Sequence, residues 1–278
     1  MRATKSVSQF TSTSAPSFAS APTEYYQTHA QAILNYNPAH FGFRLGALFD
    51  NYEYDTTQVF APGTAISNAD RDRNEYDLYG RATYEFSPGY AVFAQGDYIQ
   101  AAYDQLLDRN GFDRNNAGYR ENIGVSMQVS HLVQGEAYIG YLQQDYHSPF
   151  RDVSGVNFGG ALDWFAQEDL TVHLTASHVL VATTLASAST NDDELVRLSG
   201  DYELLPNVIL QAGFDYTDSR FKGITRDDQV TGADLGVNYL LNRYLSADIR
   251  YRHENRTSNA AGFNYNDNLI TAGITTHL

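Results

Sequence analysis

Histidine, serine and the carboxylates are the side chains of this sequence with the means to catalyse or to hold a metal. His173 and His178 lie five residues apart in a segment of alternating polarity. Successive side chains of a strand point to opposite faces, so an odd spacing puts the two imidazoles on opposite sides and denies them a shared metal. His178 with Ser177 or Ser199 would make a Ser–His pair, and the chemistry implied is hydrolysis at a membrane. The other histidines, at 29, 40, 131, 147, 253 and 277, are scattered or stand at strand ends. The chain has no cysteine and no HExxH, phosphate-binding glycine loop or nucleophile elbow. Asp/Asn-rich stretches at 104–116 and 264–268 offer oxygen ligands but not the fixed spacing of a Ca²⁺ loop. The expectation is no catalytic residue, no metal and no cofactor.

The stronger pattern is charge at every second position. By alternation one face carries Arg44, Asp50, Glu75, Asp77, Arg81, Glu85, Asp97, Arg120, Glu136, Asp163, Arg197, Asp201, Glu203, Asp215, Asp234, Asp248, Arg250 and Arg252, which is twelve acids against six arginines. Charges this dense cannot fill a dry core, because each unpaired one costs several kcal/mol to bury. They predict a hydrated lumen that favours cations or tolerates sugars. The alternative is a set of arginine–carboxylate ladders that brace the wall, such as Arg81 with Glu75 or Asp97, and Arg250 or Arg252 with Asp234. Tyr79 and Tyr138 share this face, where they stack on sugar rings or pack the wall.

The elements that must carry such a face are long strands. From Gly118 to Tyr146 two alternating runs flank a tight turn at His131-Leu132. Each run reaches about 13 residues, beyond the roughly 5–6 of an ordinary strand and past the 9–11 needed to cross hydrocarbon on a tilt. The same unit repeats about every 40 residues, with short turns and longer polar loops in strict alternation, as in outer-membrane barrels. Short turns fall at 37–39, 87–89, 167–169, 206–207 and 242–243; long loops include 55–72 and 104–116. The count is about 13–14 strands over 23–278, preceded by a flexible Ser/Thr/Ala-rich lead at 1–22 in which a short strand at 6–13 is weakly signalled. Opposite the charges lie apolar side chains bounded by aromatics. Tyr84, Phe86, Tyr90, Trp164 and Tyr239 stand beside short turns; Phe49, Tyr98, Tyr119, Tyr141, Tyr216 and Tyr251 stand at loop ends. Two girdles of this kind mark the two interfaces of a membrane. A soluble sandwich or propeller would have shorter strands and more turns.

Bulk composition fits. The chain of 278 residues has net charge −15, 21 tyrosines and 15 phenylalanines, and only Lys5 and Lys222 among its cations are lysine. An acidic balance argues against nucleic acid. No apolar run reaches the length of a transmembrane helix, and the start lacks the apolar core of a signal peptide. Closed bacterial barrels have even strand counts, so a further strand should precede Thr23. Either the lead supplies it or the chain is the C-terminal part of a larger barrel; the missing signal peptide favours the second.

The stretches 113–146, 153–178 and 265–278 (DRNNAGYRENIGVSMQVSHLVQGEAYIGYLQQDY, VSGVNFGGALDWFAQEDLTVHLTASH and YNDNLITAGITTHL) resemble the putative beta-barrel porin 2 family of bacterial outer membranes. Thr271, Gly273 and Ile274 fit the terminal-strand signal of such barrels; Leu278 replaces its final aromatic. The resemblance implies a transmembrane antiparallel up-and-down barrel acting as a porin-like channel, with some relatives tied to exopolysaccharide export. Its partners would be outer-membrane lipid, a polar solute or polysaccharide, and periplasmic export proteins. It implies no catalytic residues. The competing functions are a non-conducting barrel that acts through its external loops, and an outer-membrane hydrolase.

Overall fold

The computed structural model describes residues 2–8, 23–58, 65–129 and 132–276. The strands are β1 (Arg2–Ser8), β2 (Thr23–Tyr36), β3 (Phe41–Tyr54), the two-residue pair β4 (Thr57–Gln58) and β5 (Ala65–Ile66), β6 (Arg73–Ser87), β7 (Tyr90–Tyr103) and β8 (Asn116–Val129). They continue as β9 (Val133–Tyr146), β10 (Val153–Gln167), β11 (Leu170–Ala182), β12 (Thr190–Leu205), β13 (Val208–Phe221), β14 (Asp227–Asn242), β15 (Leu245–Ser258) and β16 (Tyr265–Thr276). All but β4 and β5 form one 14-stranded antiparallel sheet in which sequence neighbours pair. Among the described residues no ladder joins β16 to β1, so the barrel is not closed.

The start of the chain departs from expectation. Residues 2–8, assigned to a flexible lead, pair with His29 to Thr23 of β2. The segment has no apolar alternation to announce it; the open backbone groups of β2 template it, since an edge strand offers a full row of donors and acceptors whatever the side chains. The rest of the lead, 9–22, lies outside the described residues, as do His131 of the expected turn at 131–132 and Leu278 of the terminal signal.

Connections sort by length. Two residues, 88–89, join β6 to β7; 168–169 join β10 to β11; 206–207 join β12 to β13; 243–244 join β14 to β15. These four hairpins each slip register by one residue just before the turn, a bulge that raises the local twist. Gly89 takes φ 78°, and a Cβ there would stand 2.5 Å from the Gln128 carbonyl oxygen, so both backbone and space call for glycine. At the other end lie the loops 104–115, 183–189 and the one at 55–72, which carries β4, β5 and a 3₁₀ turn, Ala69–Arg71.

The two faces differ as the alternation requires. On one face Leu45, Leu78, Ile123, Ile139, Val156, Leu198, Phe214, Leu235, Ile249 and Ile270 are all exposed. Water would oppose such a band, and in an outer-membrane barrel lipid covers it. Aromatics edge it in pairs: Phe41 with Tyr84 at 5.1 Å and Phe86 with Tyr90 at 6.3 Å near the short turns, Phe49 with Tyr76 at 5.3 Å near the loops. Tyr90 and Tyr98 are eight residues apart on β7, about 26 Å along the strand at the usual rise.

The other face is concave, as its side chains show by meeting across intervening strands. Arg81 of β6 reaches Glu136 of β9 at 2.8 Å with β7 and β8 between them. On a flat sheet that gap is about 14 Å. Rings fill this face over glycines: a Cβ on Gly46 would meet the Tyr79 ring at 2.2 Å, one on Gly124 the Phe93 ring at 2.4 Å, and one on Gly159 the Tyr138 hydroxyl at 2.4 Å. Tyr79 and Tyr138 are thus part of the wall packing.

Tyr138 stands directly opposite Gly159, whose near neighbours are all atoms of that ring. Gly159→Ala is expected to lower unfolding stability by about 1–3 kcal/mol through overpacking. In a Tyr138→Ala background the same change should cost nothing. Additive losses in guanidinium titrations of the refolded protein would contradict this packing.

Candidate functional site

The ladders place all sixteen of Arg44, Glu75, Asp77, Arg81, Glu85, Asp97, Arg120, Glu136, Asp163, Arg197, Asp201, Asp215, Asp234, Asp248, Arg250 and Arg252 on the concave face. They gather into clusters. Arg120 donates to Asp77 at 2.7 Å and to Asp97 at 3.3 Å, and Gln95 also donates to Asp97. Towards the chain end Asp215 accepts from Arg197 and Arg252 at 2.7 Å each, and Asp234 accepts from Arg197 at 2.7 Å. Gly213 and Gly232 make room for these guanidinium groups; a Cβ at either would come within 2.4 Å of one. Asp215 and Asp234 are buried, while both arginines stay partly hydrated.

The partners differ from those the spacing suggests. Arg81 pairs with Glu136; Glu75 pairs with Arg73 at 2.7 Å, and Asp97 with Arg120. Curvature is the reason for Arg81, since it brings Glu136 within reach from three strands away; Glu75 instead pairs along its own strand and Asp97 directly across the ladder. Arg252 does approach Asp234, at 3.6 Å, and Arg250 stands 3.8 Å from it. Arg44 lies opposite Arg81 in the ladder and donates to Asn35 at 2.9 Å. Glu85 accepts from the Gly89 N–H at 3.0 Å and so serves the turn.

Towards the short turns the concave face holds a polar cavity of about 790 Å³ whose lining includes Arg44, Arg81, Glu85, Glu136 and Asp163. Towards the loops lies a second, of about 320 Å³, with Asp50, Glu75, Asp77, Arg114 and Arg120 in its wall. Arg114 comes from loop 104–115, yet its guanidinium donates to the carbonyls of Thr183, Leu185 and Ala188 at 3.1, 2.8 and 2.6 Å, and to Asp108 at 2.8 Å. It also lies 4.6 Å from the Phe150 ring centroid. Loops 104–115, 147–152 and 183–189 therefore meet at this end of the barrel. Burial alone would raise the Asp108 carboxyl, but bonds from the Phe112 N–H and Arg114 outweigh it and hold it below the usual carboxylate range.

Arg71, Arg73 and Arg114 escaped the periodic reading. Two lie in loops, where no period operates, and Arg73 is the first residue of its strand. The tyrosines Tyr52, Tyr54, Tyr103 and Tyr146 could have been found, since each has inward parity at the loop end of its strand.

The histidines do not make a hydrolytic pair with the expected serines. Ser199 stands opposite His173 in the ladder, and Ser177 is on the other face from His178. His173 has carboxylates on both nitrogens, Asp163 at 2.7 Å and Asp201 at 3.1 Å. That leaves no free lone pair to take a hydroxyl proton. His178 contacts Asp192 and stacks on Phe158, with ring centroids 5.6 Å apart. Asp192 also pairs with Lys222. Among the described residues no group of three or more His, Asp or Glu side chains could hold a metal ion.

A family model described as putative beta-barrel porin 2 matches residues 2–278. No curated protein matches the sequence. Among solved structures the chain is similar to the FrpB iron transporter from Neisseria meningitidis (F3-3 variant), at 8% identity and a TM-score of 0.47 over 86% of this chain and 44% of that one. It is similar to the ferric yersiniabactin uptake receptor FyuA from Yersinia pestis, at 12% identity and a TM-score of 0.42, over 85% and 43%. A third is OccK2 (OpdF) of Pseudomonas aeruginosa in complex with glucuronate, at 13% identity and a TM-score of 0.41, over 92% of each chain. The chain thus spans less than half the length of the first two.

Asp215 holds two arginines from either side. Asp215→Asn is expected to lower the unfolding free energy by about 2 kcal/mol, less than for a fully buried pair because both arginines remain partly in water. A guanidinium midpoint unchanged from wild type would show that the cluster does not brace the wall.

Proposed function

This chain belongs to the putative beta-barrel porin 2 family, and on that premise we propose that it forms a water-filled passage for polar solutes across the bacterial outer membrane, in the service of exopolysaccharide export. The observation that carries the reading is the contrast of faces: sixteen charged side chains on the concave side, an exposed apolar band on the other. The two aromatic rows then sit at the two membrane interfaces. Lumen carboxylates outnumber arginines, which favours cations and neutral sugars over anions. Asp248 has no cationic partner among the described residues, and Asp163 and Asp201 share the single imidazole of His173, so these three acids add to the field along the water path.

A second reading, a non-conducting barrel that acts through its external loops, is favoured by the meeting of loops at Arg114. Planar-bilayer recording of the refolded protein separates the two. The channel reading expects discrete current steps, a cation-selective reversal potential and partial block by an added polysaccharide. A single carboxylate about 6 Å from an ion's path in water contributes about 0.7 kcal/mol, a factor of about three in local cation concentration. Converting Asp163, Asp201 and Asp248 to Asn should therefore move the reversal potential towards zero. Silence from wild type but current from Arg114→Ala would assign the loops as a closed lid, and silence from both would reject the channel.

A further inference from the structure

The loop end of the barrel contains a buried cation that no acid among the described residues neutralises. Arg71 ends the 3₁₀ turn of loop 55–72 and is only 8% exposed. Its neighbours in the mouth are matched: Arg73 pairs with Glu75, Arg114 with Asp108, and Arg109 with Asp70. Arg71 has no carboxylate partner among the described residues, and the stretches outside them contain no Asp or Glu. Its Nη1 is buried and has no hydrogen-bond acceptor among the described residues. The Tyr54 ring lies under its guanidinium at 4.0 Å and, with its hydroxyl, offsets part of the charge without supplying a carboxylate.

Arg71 lines a cavity of about 40 Å³ together with Tyr54, Arg73, Tyr103, Arg114 and Thr183. Two acids, Asp70 and Asp108, also line it and are already engaged by Arg109 and Arg114. Arg114 uses its Nε and both terminal nitrogens on Asp108 and the loop carbonyls. Arg73 is held by Glu75, the Tyr54 hydroxyl and the Arg71 carbonyl. These two arginines therefore add field to the cavity, and Arg71 adds a donor. Burial pushes the Arg71 guanidinium down from its ordinary value, the sign of a cation short of compensation.

We propose that Arg71 binds one small anion, a halide or a single carboxylate group, in this cavity between loops 55–72, 104–115 and 183–189. The volume is about that of one or two waters. It admits a chloride or the carboxylate of a larger solute and excludes a whole sugar. The site stands at the entrance to an acid-rich wall, so it acts as a local exception to the cation preference of the path below. It does not rest on conduction, since a silent barrel keeps the same mouth.

The test uses the refolded full chain. Crystals grown with bromide as the halide should show an anomalous peak within hydrogen-bonding reach of Arg71 Nη1. In solution, chloride line broadening should saturate, and Arg71→Gln should weaken it about tenfold or more, as expected for loss of a charge-assisted bond. Arg71→Lys should retain binding, and compact migration of unboiled samples shows which variants fold. Excess acetate that displaces bromide identifies a carboxylate site; acetate without effect identifies a halide site. Absence of a peak at Arg71 in the wild type, or saturation unchanged in folded Arg71→Gln, overturns the proposal. Conductance recorded from the same samples keeps a failure here separate from a failure of the channel reading.

Discussion

Hydrocarbon offers no partner to a backbone N–H or C=O, and every other feature of this chain follows from that. A strand in lipid must pass all its backbone bonds to its neighbours, so strands of 12–16 residues run antiparallel in one continuous ladder. The ladder in turn forces a period of two. Leu45 must face outward because Arg44 faces inward, and Leu45, Gly80 and Gly96 then share a row. A one-residue slip of β15 would drive Asp248, Arg250 and Arg252 into lipid together, so the ladder that holds the register also holds the charged face.

The wall is not a set of independent charges. Asp215 and Asp234 are nearly dry, and ionised carboxylates at such positions are tolerable only because Arg197 and Arg252 reach them from strands on both sides. The glycines opposite, Gly213 and Gly232, are the other half of that arrangement, since a side chain at either would displace a guanidinium. The paired groups thus tie neighbouring and next-neighbour strands of the concave face to one another.

Most of the fold was legible because its signal is local and repeated. Alternation in 118–129 and 133–146 fixes which face Ile123 and Arg120 take, and the structure places both accordingly. Residues 2–8 were not legible, because an edge strand needs only a neighbour's open backbone. The partner of Arg81 was not legible either. Glu136 is 55 residues away and three strands over, and only curvature makes them neighbours. Arg71 and Arg114 lie in loops, where composition says polar and nothing says inward. What sequence conveys is the face of a residue; what it omits is the third dimension across the face.

That omission matters most at the mouth, where the two functional readings part. The Arg114 contact consists of three carbonyl bonds and one ion pair, two of them buried and two partly so. At about 1.5–3 kcal/mol for each hydrogen bond from a charged group, the set amounts to about 6–12 kcal/mol. Bonds of that strength fix loops 104–115 and 183–189 against each other. A solute that brings its own acceptors to Arg114 would replace the carbonyls of Thr183, Leu185 and Ala188 at little net cost, whereas an apolar one would leave the guanidinium buried and unpaired.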